Sequence, residues 1–134
     1  MPEIQLGGRL VGDCHPALVV FEPGATHTGL VSAKKMTKAA ADAGADAIKF
    51  QTMDTDRLMA TKDIEIAYGT RSGERRERVY EAMKRRELDP SEWRELKRYS
   101  DSLGILFIST PSDPQTVDLL VDMDVAAIKV AKSD

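Results

Sequence analysis

The chain has 134 residues, of which 31% are charged, and a net charge of −3 at pH 7. It therefore suits one domain with a core, and lacks the cationic surplus that a nucleic-acid partner would call for. Its one cysteine, Cys14, excludes an internal disulfide framework and there is no Cys/His cluster with zinc spacing; no apolar run approaches a membrane helix or follows a cationic start, so a cytoplasmic setting is expected.

In chain order, Ile4–Leu6 and Arg9–Val11 flank Gly7-Gly8, which predicts a β-hairpin leading the chain through residue 16, because both glycines can take positive φ. Residues 17–134 are then expected to alternate strand and helix. Ala17–Phe21 has no polar alternation and predicts a strand covered on both faces. A loop at Glu22–Gly29 leads to a helix from about Leu30 to Ala43, with Met36, Ala39, Ala40 and Ala43 on one side and Gly44 as its stop. The strand Ala45–Gln51 follows almost at once. Thr52–Ser72 is long, polar and aperiodic, which predicts a substrate-covering loop, and Glu74–Arg86 predicts a helix from Val79 and Met83 at i,i+4 spacing.

The next helix has the clearest signals. Asp89 is its N-cap, Pro90 its first residue, Trp93, Leu96, Ser100 and Leu103 its inward stripe, and Gly104 its end. A strand is predicted at Ile105–Ser109. Asp113 and Pro114 open a short helix carrying Val117, Leu120 and Val121, and a last strand spans Val125–Val130. Charges of both signs between Arg71 and Arg98 make a solvated helix face.

Two of the apolar strands, ending Ala47-Ile48-Lys49-Phe50-Gln51 and Ala127-Ile128-Lys129-Val130, each deliver a lysine near the C-terminal end. Charge on a buried parallel strand is expensive unless an anion meets it, so the pair predicts a cationic floor under an acidic substrate. The strand between them ends in Ser109-Thr110-Pro111, adding hydroxyl donors. Polar groups converging at strand ends are how a (β/α) barrel builds its active site, and four strands are half of the eight that such a barrel closes with. The expected fold is α/β, a partial (β/α)8 TIM barrel of about four units behind a hairpin, whose inner face must be covered by a second half of the barrel or by another copy in a homo-oligomer.

Four blocks resemble the sialic acid synthase (N-acetylneuraminate synthase) family, and they span nearly the whole chain: Leu6–Gly12, Ala43–Thr52, Tyr80–Gly104, and the pair Ser109-Thr110-Pro111 with Ile128-Lys129-Val130-Ala131. The resemblance implies a transferase that joins phosphoenolpyruvate to an amino-sugar aldehyde such as N-acetylmannosamine, forming a nonulosonic acid and releasing phosphate. It implies substrate contacts at Lys49, Thr110, Lys129, Ser133 and Asp134, proton transfer by Glu22, and a divalent metal, Mn²⁺ or Mg²⁺, whose ligands are not in this chain. Two positions depart from the family pattern: Thr26 stands where an asparagine is usual, and Lys132 where a serine is usual.

Other readings stay open at this stage. The lysines could snorkel at strand ends without a ligand, or one could form a Schiff base, which borohydride trapping with a keto acid would reveal. Glu22 could serve only as a helix cap or a lysine partner, Thr110 only as a strand end, and His27 as a hydrogen-bonding loop residue. A non-catalytic half-barrel that binds a phosphorylated metabolite, or assembles with another chain, is the second functional reading. A flavodoxin-like domain is disfavoured, because Glu22-Pro23 places a carboxylate where a phosphate loop would need glycines or hydroxyls.

Overall fold

A computed structural model describes residues 2–132. The antiparallel hairpin of β1 (Ile4–Leu6) and β2 (Arg9–Val11) lies where the two glycines predict it, with Gly7 and Gly8 both at positive φ. The body is a four-stranded parallel sheet in the order β3 (Val20–Gly24), β4 (Ala47–Thr52), β7 (Leu106–Pro111), β8 (Ala127–Ile128). Its crossover helices are α1 (Leu30–Asp42), α4 (Pro90–Ser102) and α5 (Pro114–Asp122). Parallel neighbours joined through helices are the repeating unit of a (β/α) barrel, and this stretch holds four of its strands behind a hairpin.

The core lies between one face of the sheet and the helices. Ile48 and Phe50 of β4, Phe107 of β7, Trp93 and Leu96 of α4 and Leu120 of α5 are all buried there. Phe50 and Phe107 stack with ring centroids 5.7 Å apart, and Trp93 meets both edge-on. Helix α4 starts as its sequence predicts: the Asp89 side chain accepts from the Ser91 and Glu92 amides, and Glu92 returns the bond to the Asp89 amide at 2.9 Å. Helices α1 and α4 end alike. The amides of Gly44 and Ala45 donate to Ala41 and Ala40, those of Gly104 and Ile105 to Asp101 and Ser100, and both glycines sit at positive φ.

Several expectations fail, each for a physical reason. The apolar run Ala17–Phe21 is not a strand covered on both faces: the strand begins at Val20, and Val19 and Phe21 are 56% and 46% exposed because β3 is an edge with one neighbour. Helix α1 buries Ala33, Thr37 and Ala40, leaving Ala39 and Ala43 exposed, since its contact with α4 lies one position round from the alanine stripe. Val121 faces solvent on α5, while Thr116 and Leu120 face inward. The last strand shrinks to Ala127–Ile128, with Val130 beyond it exposed.

The largest revision concerns Thr52–Arg86, which is neither a plain loop nor a single helix. It folds as α2 (Thr55–Leu58), an antiparallel hairpin of β5 (Glu65–Thr70) and β6 (Gly73–Arg78), and α3 (Val79–Lys84). Glu74–Arg78, predicted helical, is strand. The Tyr68 hydroxyl donates to Glu77 at 2.6 Å across the hairpin, and Arg85, at the C-terminal end of α3, donates to the same carboxylate at 2.6 Å and holds the hairpin to that helix. Asp56 of α2 accepts from Lys62, Tyr80 and Lys84, which together hold its carboxyl well below the usual range and tie α2 to α3.

Candidate active site

Along β4 the side chains alternate between two faces. Ile48 and Phe50 enter the helix-covered core, so Lys49 and Gln51 emerge on the opposite face. The parallel register sets Gln51 beside Thr110 of β7, and the Lys129 amide donates to the Ser109 carbonyl at 2.9 Å, which sets the exit of β8 beside them. Between β3 and β4 the register breaks between Phe21 and Gly24, a bulge that holds Glu22 and Pro23. Proline has no amide to give to a ladder, so it suits a bulge on an edge strand.

These strand ends enclose a cavity of about 280 Å³ lined by Glu22, Lys49, Gln51, Thr110, Lys129 and Lys132, with Leu58 of α2 and Met83 of α3 among its walls. Lys49, only 6% exposed, donates to the Glu22 carboxylate, which is itself half open to solvent. The Lys129 ammonium donates to the Val130 carbonyl at 3.0 Å. Thr52, also in the lining, and Ser109 bond each other through their hydroxyls at 2.7 Å, so neither buried hydroxyl is left unpaired. Three ammonium groups and one carboxylate thus share a hollow walled in part by apolar side chains, a setting that strengthens attraction for an anion.

Of the residues singled out from the sequence, Glu22, Lys49 and Thr110, from three neighbouring strands, and Lys129, just past the end of the fourth, come together in this cavity. Glu22 is indeed a lysine's partner, and it is at the same time part of the lining. Ser133 and Asp134 lie outside the described residues. Gln51 was not singled out as a contact, and the two-residue period from Lys49 points to it; Lys132, singled out as a departure from the family pattern, also lines the cavity.

His27 departs from its expectation as a hydrogen-bonding loop residue. It is fully buried, edge-on to Phe50 and Trp93 at centroid distances of 5.8 and 5.9 Å, and neither ring nitrogen has a hydrogen-bond partner among the described residues. Burial, and after it the Arg86 guanidinium, lower its pKa below the ordinary 6.5, with Glu92 pulling the other way. The unfolded chain therefore takes up this proton at a higher pH than the folded one, and stability present above about pH 6.5 is lost as the pH falls below it. Urea midpoints at about pH 7.5 and pH 5.5 are expected to drop in the wild type and to drop less in His27→Leu; equal drops would show that this imidazole does not titrate the fold.

Among the described residues no group of three or more His, Cys, Asp or Glu side chains could hold a metal ion. No helix among them is long and apolar enough to cross a membrane.

A family model described as "NeuB family" matches residues 36–134. An uncharacterized protein of Methanocaldococcus jannaschii is 38% identical over 135 residues, covering 100% of this chain and 36% of that protein. The N,N'-diacetyllegionaminic acid synthase of Legionella pneumophila is 34% identical over 125 residues, covering 92% of this chain and 35% of the synthase. Among solved structures, the N-acetylneuraminic acid (sialic acid) synthetase of Leptospira borgpetersenii, in complex with citrate, superposes with a TM-score of 0.81 at 31% identity, over 99% of this chain and 42% of the other. The chain thus spans about a third of the length of these curated relatives.

Proposed function

Because the chain belongs to the NeuB family, we propose that its cavity seats phosphoenolpyruvate for condensation with an amino-sugar aldehyde such as N-acetylmannosamine, yielding a nonulosonic acid and inorganic phosphate. The observation that carries this reading is the meeting of Glu22, Lys49 and Thr110, from three neighbouring parallel strands, with Lys129, the residue that follows β8, in one hollow. Phosphoenolpyruvate is a small acid with a carboxylate and a phosphate. Two ammonium groups and a hydroxyl are the donor set that such a molecule needs.

In this reading Lys49 and Lys129 hold the anionic groups and Thr110 donates a neutral hydrogen bond, so that the methylene carbon is presented to the aldehyde. Glu22, fixed by the Lys49 ammonium, takes up a proton as water adds at the enol-ether carbon. A divalent metal would supply Lewis-acid polarisation of the aldehyde, held by residues outside those described here. No imine is formed, so borohydride with a keto acid is expected to leave both lysines unmodified.

A second reading has its own observation. The sheet edge at β3 exposes Val20 and Phe21, and the chain beyond β8 exposes Val130 at 69%. Exposed apolar groups along a sheet edge call for further structure, whether more of a longer chain or another copy. On that reading the unit binds a phosphorylated metabolite, or assembles with another chain, without turnover. Phosphate release from phosphoenolpyruvate and N-acetylmannosamine with Mn²⁺ separates the two, measured for this chain and for a version extended to full barrel length. Release by the extended version is the expected result; release by neither would leave only the binding reading.

A further inference from the structure

The charges in the cavity are unevenly shared, and the strand order says how. Glu22 and Lys49 stand on β3 and β4, at one side of the sheet, and neutralise each other. Lys129 and Lys132 follow β8 at the other side, two strands from β4, or about 10 Å away at the usual strand spacing. Among the described residues neither makes an ion pair with a carboxylate; Lys129 meets only a backbone carbonyl. Two like charges lining one cavity repel each other until an anion lies between them, and a group carrying two negative charges relieves this better than one carrying a single charge.

We propose that Lys132, with Lys129, is the seat of a phosphoryl group, so that the ligand lies across the sheet with its dianionic end toward β8 and its singly charged end toward Lys49. Lys132 then sets the preference of this site for phosphorylated over unphosphorylated small acids. For its organic ligand the inference rests on the phosphoenolpyruvate reading; the phosphoryl assignment itself does not.

The test is calorimetric titration of the wild type, Lys132→Gln and Lys132→Arg with inorganic phosphate, phosphoenolpyruvate and pyruvate. Lys132 is exposed, so its substitution is not expected to disturb the fold, and matching melting curves check this. Lys132→Gln is expected to weaken phosphate and phosphoenolpyruvate by about 10- to 100-fold, the range for one charge-assisted contact, with pyruvate nearly unchanged and Lys132→Arg close to wild type. Wild type that binds inorganic phosphate through Lys132 but not phosphoenolpyruvate would remove the proposed substrate and leave the phosphoryl seat standing. Equal losses for phosphoenolpyruvate and pyruvate, no loss for either phosphorylated probe, or a wild type that binds no phosphate would each overturn it.

Discussion

Trp93→Ala is expected to lower the stability of the fold by about 3–5 kcal/mol, a large share of the roughly 5–15 kcal/mol that holds a typical domain together. The indole is 1% exposed and touches three rings at once: His27, Phe50 and Phe107, at centroid distances of 5.9, 6.0 and 6.4 Å. Its Nε1 has no hydrogen-bond partner among the described residues, so the loss is one of packing and cavity formation. Trp93→Phe, which keeps a ring, should therefore cost less than half as much in urea unfolding. A Trp93→Ala cost under about 1 kcal/mol would show that the helix-covered side is not the core. The consequence reaches the cavity, because Phe50 lies between Lys49 and Gln51 on one strand, and loosening the ring loosens both.

Lys49→Gln is the substitution with the largest expected effect on binding. Lys49 lies almost wholly out of solvent beside Glu22. Removing its charge deletes one cation and frees a carboxylate to repel the incoming acid. The two effects add, and phosphoenolpyruvate affinity should fall by at least about 100-fold by calorimetry. Because Glu22 is half open to water, the abandoned carboxylate can be solvated, and the melting temperature should move little. A variant that binds as tightly as the wild type would show that the cavity is not the anion site.

What could be read from the sequence, and what could not, divides along physical lines. The leading hairpin and the ends of α4 were legible because Gly7-Gly8, Asp89-Pro90 and Gly104 act within a few residues of themselves. The β5–β6 hairpin was not. Glu74, Arg75, Arg76, Glu77 and Arg78 carry no apolar face to betray a period of two, and alternating charges at helical spacing imitate a solvated helix. What decides is cross-strand: Glu65 stands opposite Arg78, and Tyr68 reaches Glu77. The apolar run Val19–Phe21 implied burial, yet burial belongs to the neighbours a strand has, and β3 has one.

The site was legible in its charges rather than in its full lining. Lys49 and Lys129 stood out as cations on apolar strands, and the parallel register brings them to one hollow. Gln51 was missed, although the period of two from Lys49 points to it. His27 did not follow from anything local, because its burial comes from Phe50 and Trp93, which are distant in sequence.

The most direct test of the central claim is a crystal structure of the chain with saturating phosphoenolpyruvate. The expected electron density is a single three-carbon acid in the cavity at the C-terminal ends of the sheet, with its anionic oxygens within hydrogen-bonding distance of the Lys49 and Lys129 ammonium groups. The acid lodged elsewhere, or a cavity left empty with the Lys49–Glu22 pair undisturbed, would contradict it.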